Sequence, residues 1–74
     1  MNWKPAFLIK GEDTPITNAL VFATELEALK SAAELFSRWT VPIGFVAIET
    51  DDPVNYHWDD KLGNVPNWAE EQAA

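Results

Sequence analysis

The sequence predicts an α+β fold: a ββαββ chain whose antiparallel sheet, in the order 2-1-3-4, carries one helix on one face. Three observations predict it. Two alternating apolar runs flank a segment dense in turn formers, Gly11-Glu12-Asp13-Thr14-Pro15. A capping signature at Thr24 opens a stretch of helical periodicity. After Pro42 comes a short run that is apolar on both of its faces.

The first strand is expected over Trp3 to Lys10, with Trp3, Phe7 and Ile9 on one face and Ala6 and Leu8 on the other. Pro5 lacks an N–H, which suits the start of a strand or a sheet edge. A second strand is expected over Ile16 to Ala23, closing an antiparallel hairpin.

Thr24-Glu25-Leu26-Glu27 fits a capping box. In that motif the Thr hydroxyl accepts the Glu27 N–H and the Glu27 carboxylate reaches back to the Thr24 N–H. Two acids in the first turn also suit the helix dipole. Leu26, Leu29, Ala33, Phe36 and Trp39 form one apolar stripe, widened by Ala32 and Leu35. Glu34 and Arg38 stand in the favourable order for an i,i+4 pair. Thr40, Val41 and Pro42 end the helix near Trp39.

Ile43 to Thr50 is expected as an interior strand, with Ile43, Phe45 and Ala47 opposite in facing to Val46 and Ile48. Asp51-Asp52-Pro53 is a turn, and Asp side chains commonly bond their own backbone two residues on, as Asn55 could. Asn55 to Asp59 is a short fourth strand, and Leu62-Gly63-Asn64 a further turn. Val65 to Trp68 folds back on the domain with Trp68 as its anchor. Residues 1–69 make one domain, and 70–74 an acidic, frayed tail. One helix covers one sheet face, so the other face is polar, covered by the C-terminal segment, or an interface.

Charge is unevenly distributed. The net charge is −7. Residues 1–48 carry five acids against four bases, and residues 49–74 seven acids against Lys61 alone. Such a chain does not attract phosphates, so direct nucleic-acid binding is not expected; a basic protein surface is the natural partner. There is no Cys, hence no disulfide and no thiolate metal site, which fits a reducing cytoplasm. No signal peptide and no membrane span is expected from the pattern of apolar residues.

The segment Asp51 to Asp60 gathers four carboxylates, the single His, the single Tyr and one of four Trp around a proline. A metal site built on His57 and its Asp neighbours is disfavoured, because Pro53 and Val54 fall where oxygen ligands would be needed. Acid–base catalysis needs a group held in a pocket with a shifted pKa. On a strand, Tyr56 and Trp58 share one face while His57 points the other way, toward solvent. No nucleophile elbow, zinc-protease helix or phosphate loop is present. The residues therefore point to no enzyme, cofactor or metal.

The stretch Ala19 to Trp58 resembles a group of small uncharacterised bacterial and phage proteins. The resemblance is carried by Phe22-Ala23-Thr24, by Arg38-Trp39, and by Glu49-Thr50-Asp51-Asp52-Pro53-Val54-Asn55-Tyr56. It covers roughly half of the chain. It implies a strand–helix–strand core and a bacterial or phage setting, and brings no catalytic residues with it.

The expected function is a non-enzymatic, cytoplasmic interaction module. Glu49, Asp51, Asp52, Tyr56, His57, Trp58, Asp59 and Asp60 are its expected partner-binding residues. In a phage setting the partner would be a host nucleic-acid enzyme, inhibited in the manner of anti-CRISPR or DNA-mimic proteins. The alternative is a small structural domain, a homodimer through its open sheet face.

Overall fold

The computed structural model describes residues 1–68. The expected tail at 70–74 lies outside the described residues. In chain order the elements are β1 (Asn2–Leu8), β2 (Ile16–Thr17), α1 (Glu25–Phe36), β3 (Gly44–Thr50), β4 (Tyr56–Asp59) and β5 (Gly63–Pro66). The fold is α+β with one helix and antiparallel pairing throughout, but the strands make two sheets. One has the order β2-β1-β3 and the other is the hairpin β4-β5. The expected fourth strand therefore does not join the main sheet. It pairs with β5, a strand that the Gly63-Asn64 turn signal concealed.

β1 is the central strand, although Pro5 sits in its middle. Trp3 exchanges both of its backbone hydrogen bonds with Phe22, at 2.9 and 2.8 Å. The odd-numbered residues of β1 thus turn their amides toward β2. Pro5 is one of them, so its missing N–H falls on the β2 side. There β2 has no bond to lose. Ala6 pairs with Thr17, but Trp3 pairs with Phe22, so the 18–21 segment holds two residues more than a regular ladder. The expected second strand over 16–23 is consequently split. Asn18 Oδ1 supports the break by accepting the Leu20 N–H at 3.1 Å.

The full register of β1 with β3 runs from Asn2↔Thr50 to Leu8↔Gly44. Paired residues face the same side, so Trp3, Pro5, Phe7, Phe45 and Ala47 share one face. Helix α1 and the segment after it cover that face. Phe36 packs on Phe45 with ring centroids 5.2 Å apart, and Trp39 meets Phe7 edge-on at 5.4 Å. Pro5, Phe7 and Phe22 are fully buried.

The helix buries the expected stripe only in part: Ala32, Leu29, Leu35, Phe36 and Trp39 turn inward, but Leu26 and Ala33 do not. Ala28, Ser31 and Ala32 are buried, whereas Leu26 is 61% exposed and Ala33 is on the outside. Small side chains let the helix lie close to the sheet. The large ones, Leu29, Leu35 and Phe36, flank the contact and are half-buried. Hydrophobicity alone selects Leu26, because periodicity cannot see that the closest approach requires small residues.

The capping residue is Thr24, as expected; its Oγ1 accepts the Glu27 N–H at 3.2 Å. The reciprocal bond differs. The Thr24 hydroxyl donates to Glu27 Oε1 at 3.0 Å, and Glu27 Oε2 is engaged by the Trp58 N–H at 2.9 Å. Helix α1 ends at Phe36, three residues before Trp39. Arg38 and Glu34 make the expected i,i+4 pair at 2.9 Å.

The second face of the main sheet carries Lys4, Ala6, Leu8, Val46 and Ile48. Val46 and Ile48 are half-buried and Leu8 is 38% exposed.

The position of the small-residue stripe is testable. Ala32→Leu should overpack the helix–sheet contact and destabilise by about 1–3 kcal/mol. Leu26→Ala, at the exposed position, should change stability by less than about 0.5 kcal/mol. Urea unfolding followed by circular dichroism measures both, and the reverse ranking would place Leu26 in the core after all.

Candidate functional site: the acidic band from Glu49 to Asp60

The band begins on the edge strand β3, where Glu49 is exposed. The turn that follows is held by Thr50, not by an aspartate side chain: Thr50 Oγ1 accepts the Asp52 N–H at 3.1 Å. Asp52 C=O accepts from Asn2 Nδ2 at 2.7 Å, which ties the turn to the start of β1. The Asp52 carboxylate lies 3.8 Å from Lys4 Nζ, a loose surface pair. Asp51 and Asp52 are both exposed.

Asn55 then crosses to the split second strand. Its Oδ1 accepts the Val21 N–H at 2.8 Å and its Nδ2 donates to Ala19 C=O at 2.8 Å. The backbone N–H groups of Asn55 and Tyr56 both donate to Val21 C=O, at 3.1 and 3.2 Å. Asn55 thus bonds a segment far off in sequence and does not cap a local turn. The Tyr56 and Trp58 amides leave the hairpin for partners outside it, Val21 C=O and the Glu27 carboxylate. These outward amides alternate along β4, as antiparallel pairing requires, and Pro66 stands opposite Tyr56 where β5 needs no donor.

The aromatic members of the band serve packing. Tyr56 lies between Phe22, at 6.5 Å, and Trp68, which meets it edge-on at 5.5 Å. Trp68 does anchor the returning segment, while remaining 49% exposed. His57 is half-buried, contrary to the expected solvent-facing position, and its Nδ1 lies 2.8 Å from Asn67 Oδ1. The Trp58 indole N–H donates to Asp60 Oδ1 at 2.9 Å.

Asp59 and Asp60 occupy the hairpin turn. Asp59 Oδ1 accepts the Lys61 and Leu62 N–H groups, at 2.8 and 2.9 Å. Gly63 closes the turn at φ +79, a left-handed conformation that a Cβ would strain. Asp60 Oδ1 also accepts from Lys30 Nζ on the helix, at 3.1 Å. The Leu62 and Lys61 amides hold the Asp59 carboxyl below its ordinary value of 3.8. Lys30, with the Trp58 indole, does the same for Asp60.

The expected binding residues therefore separate into two groups. Glu49, Asp51 and Asp52 lie where β3 ends; Asp59 and Asp60 lie at the far turn of the hairpin, with Tyr56, His57 and Trp58 between them in sequence. Among the described residues no three His, Cys, Asp or Glu side chains gather as a metal ion would need. No pocket opens among them, and no helix there is long and apolar enough to cross a membrane. Sequence reasoning missed Glu27, Lys30, Asn55 and Asn67 as the groups that organise the band. Their partners lie ten to thirty-six residues away, beyond any local pattern.

Comparison with protein families, with curated proteins and with solved structures finds no match for this chain.

The lowered carboxyls of Asp59 and Asp60 give stability a pH dependence. Their folded-state pKa values lie below 3.8, so their contribution is complete above that pH. It is lost as the pH falls through the lowered values. Asp59→Asn combined with Asp60→Asn keeps acceptors in place and removes the titration. Thermal unfolding across this acid range should show a shallower loss of stability for the double variant, and an unchanged slope would contradict the assignment.

Proposed function

We propose that this protein is a non-enzymatic interaction module that offers its acidic band to a basic protein surface. The observation that carries the proposal is the state of the acids at the end of β3. Glu49 and Asp51 are exposed and make no ion pair among the described residues, and Asp52 has only a long contact with Lys4. With a net charge of −7, and Lys61 the sole base after residue 48, the field around this end favours encounter with a cationic partner. Asp59 and Asp60 are committed to the hairpin turn through one oxygen each, which leaves their second oxygens available to the same partner. In this reading Tyr56, His57 and Trp58 set the shape of the band more than they contact the partner.

A partner of suitable chemistry is an enzyme whose phosphate-binding groove is lined with Lys and Arg, occupied by carboxylates in place of phosphates. A phage-encoded inhibitor acting in the host cytoplasm is the natural biological form of such a module. It is an analogy of size and charge.

Glu49→Lys with Asp51→Lys reverses two acids that hold nothing in the fold. Capture of partners from bacterial lysate on immobilised protein, at low and at moderate salt, checks the proposal. The native protein should recover a basic nucleic-acid enzyme at low salt and lose it as salt rises, since exposed charges are screened within about 8–10 Å. The double variant should recover at least about tenfold less, a difference of some 1.4 kcal/mol. Equal recovery by both proteins would overturn the proposal.

A further inference from the structure

Strand β3 is an edge strand whose outer side is open. Odd-numbered residues of β1 turn their amides to β2, so its even-numbered residues serve β3. The register then directs the amides of Val46 and Ile48 inward to Ala6 and Lys4, and those of Phe45, Ala47 and Glu49 outward. None of these three outward-facing residues has a hydrogen-bond partner on that side among the described residues. The hairpin β4-β5 could have covered this edge, but Asn55 holds it at the opposite edge, against Val21.

Open edges are commonly protected by lysine, proline, a bulge or brevity. β3 reads Gly-Phe-Val-Ala-Ile-Glu-Thr and has seven residues, with no lysine and no proline; its one charge, Glu49, stands next to its C-terminal end.

We infer that β3 pairs antiparallel with β3 of a second copy of this chain, about a two-fold axis at Ala47. The three outward residues are spaced evenly around Ala47. With Ala47 opposite Ala47 and Phe45 opposite Glu49, each outward N–H meets an outward C=O, three donors from each copy. Glu49 is the only charged residue of β3, and in this register it faces Phe45 of the second copy and not its own kind. On the open face, Val46 comes beside Ile48 of the second copy. An axis moved to Glu49 would set two carboxylates opposite each other, and one moved to Phe45 would leave Glu49 beyond the partner strand. The pair of three-stranded sheets would become one continuous six-stranded sheet.

The net charge of −7 on each copy opposes the pairing. Screening should therefore strengthen it, whereas the same salt weakens capture of a basic partner. This separates the dimer from the proposed interaction function, on which it does not depend.

The test combines sedimentation equilibrium with amide hydrogen exchange of the whole chain over a range of protein concentrations, at low and moderate salt. We expect dimer formation that increases with salt. The Phe45, Ala47 and Glu49 amides should gain at least tenfold protection as the dimer forms. Ala47→Pro removes an outward N–H without touching the β1–β3 ladder and should abolish the dimer. Val46→Lys places a charge on the solvent side of the edge and should weaken it at least tenfold, with the helical circular dichroism retained. A monomer at every concentration overturns the inference. So does a dimer in which the three amides stay unprotected, which would place the contact on the open face. So does protection of those amides already in the dilute monomer.

Discussion

The attachment of the second sheet to the first begins at Asn55, whose side chain and backbone both bond the segment beside β1. Its amide oxygen takes the Val21 N–H and its amide nitrogen reaches the Ala19 carbonyl. An asparagine can donate and accept in the same plane, and here it stands in for the missing rung of a ladder. The segment it holds is the one that a regular β2 would have occupied. Without it, the Val21 amide would be a part-buried donor and the hairpin would lack its attachment beside Phe22. Tyr56, the next residue, continues the same attachment through its own N–H and through its ring.

The need for this clamp traces back to Pro5. A proline in a central strand is costly unless its absent N–H faces a place where no bond is wanted. The extra two residues at 18–21 create that place. The same displacement lets Phe22 return to the ladder at Trp3 and bury completely. Helix α1 starts immediately afterwards, and its first turn presents Glu27 to the Trp58 amide. Thus one side chain on the helix and one at the head of the hairpin hold the second sheet at the β2 edge. The β3 edge is left bare, and the acids that follow β3 project without cationic partners of comparable number. Position of the hairpin and exposure of the acidic band are in this sense one structural fact.

Much of the fold is legible in the sequence because it depends on neighbours in the chain. The cap at Thr24, the Glu34–Arg38 pair, the antiparallel first hairpin and the run from Gly44 to Thr50 all follow from spacing. Trp39 at the helix end is legible too, although its partner Phe7 is not. Tertiary decisions are not. Gly63 and Asn64 have the composition of a turn, yet they pair with Asp59 and Trp58. Ala28 looks like filler beside Leu26, yet it is fully buried together with Ala32, which the expected stripe held only at its margin. In the acidic band, sequence identifies the exposed carboxylates but not their separation into two groups. Asn55 lies inside a recognisable motif, and nothing in that motif says that its partners are Val21 and Ala19.

The most direct test of this account is the stability of Asn55→Ala against that of Asn18→Ala, measured by urea unfolding with tryptophan fluorescence and circular dichroism together. Asn18 makes only a local bond to the Leu20 N–H. Orphaning the Val21 amide, on a buried residue, should cost about 1–3 kcal/mol, more than the loss of the bond to the half-buried Leu20, while the exposed Ala19 carbonyl can turn to water. If Asn55→Ala is as stable as the native protein, or no worse than Asn18→Ala, the two sheets are not joined through Asn55 and the account fails.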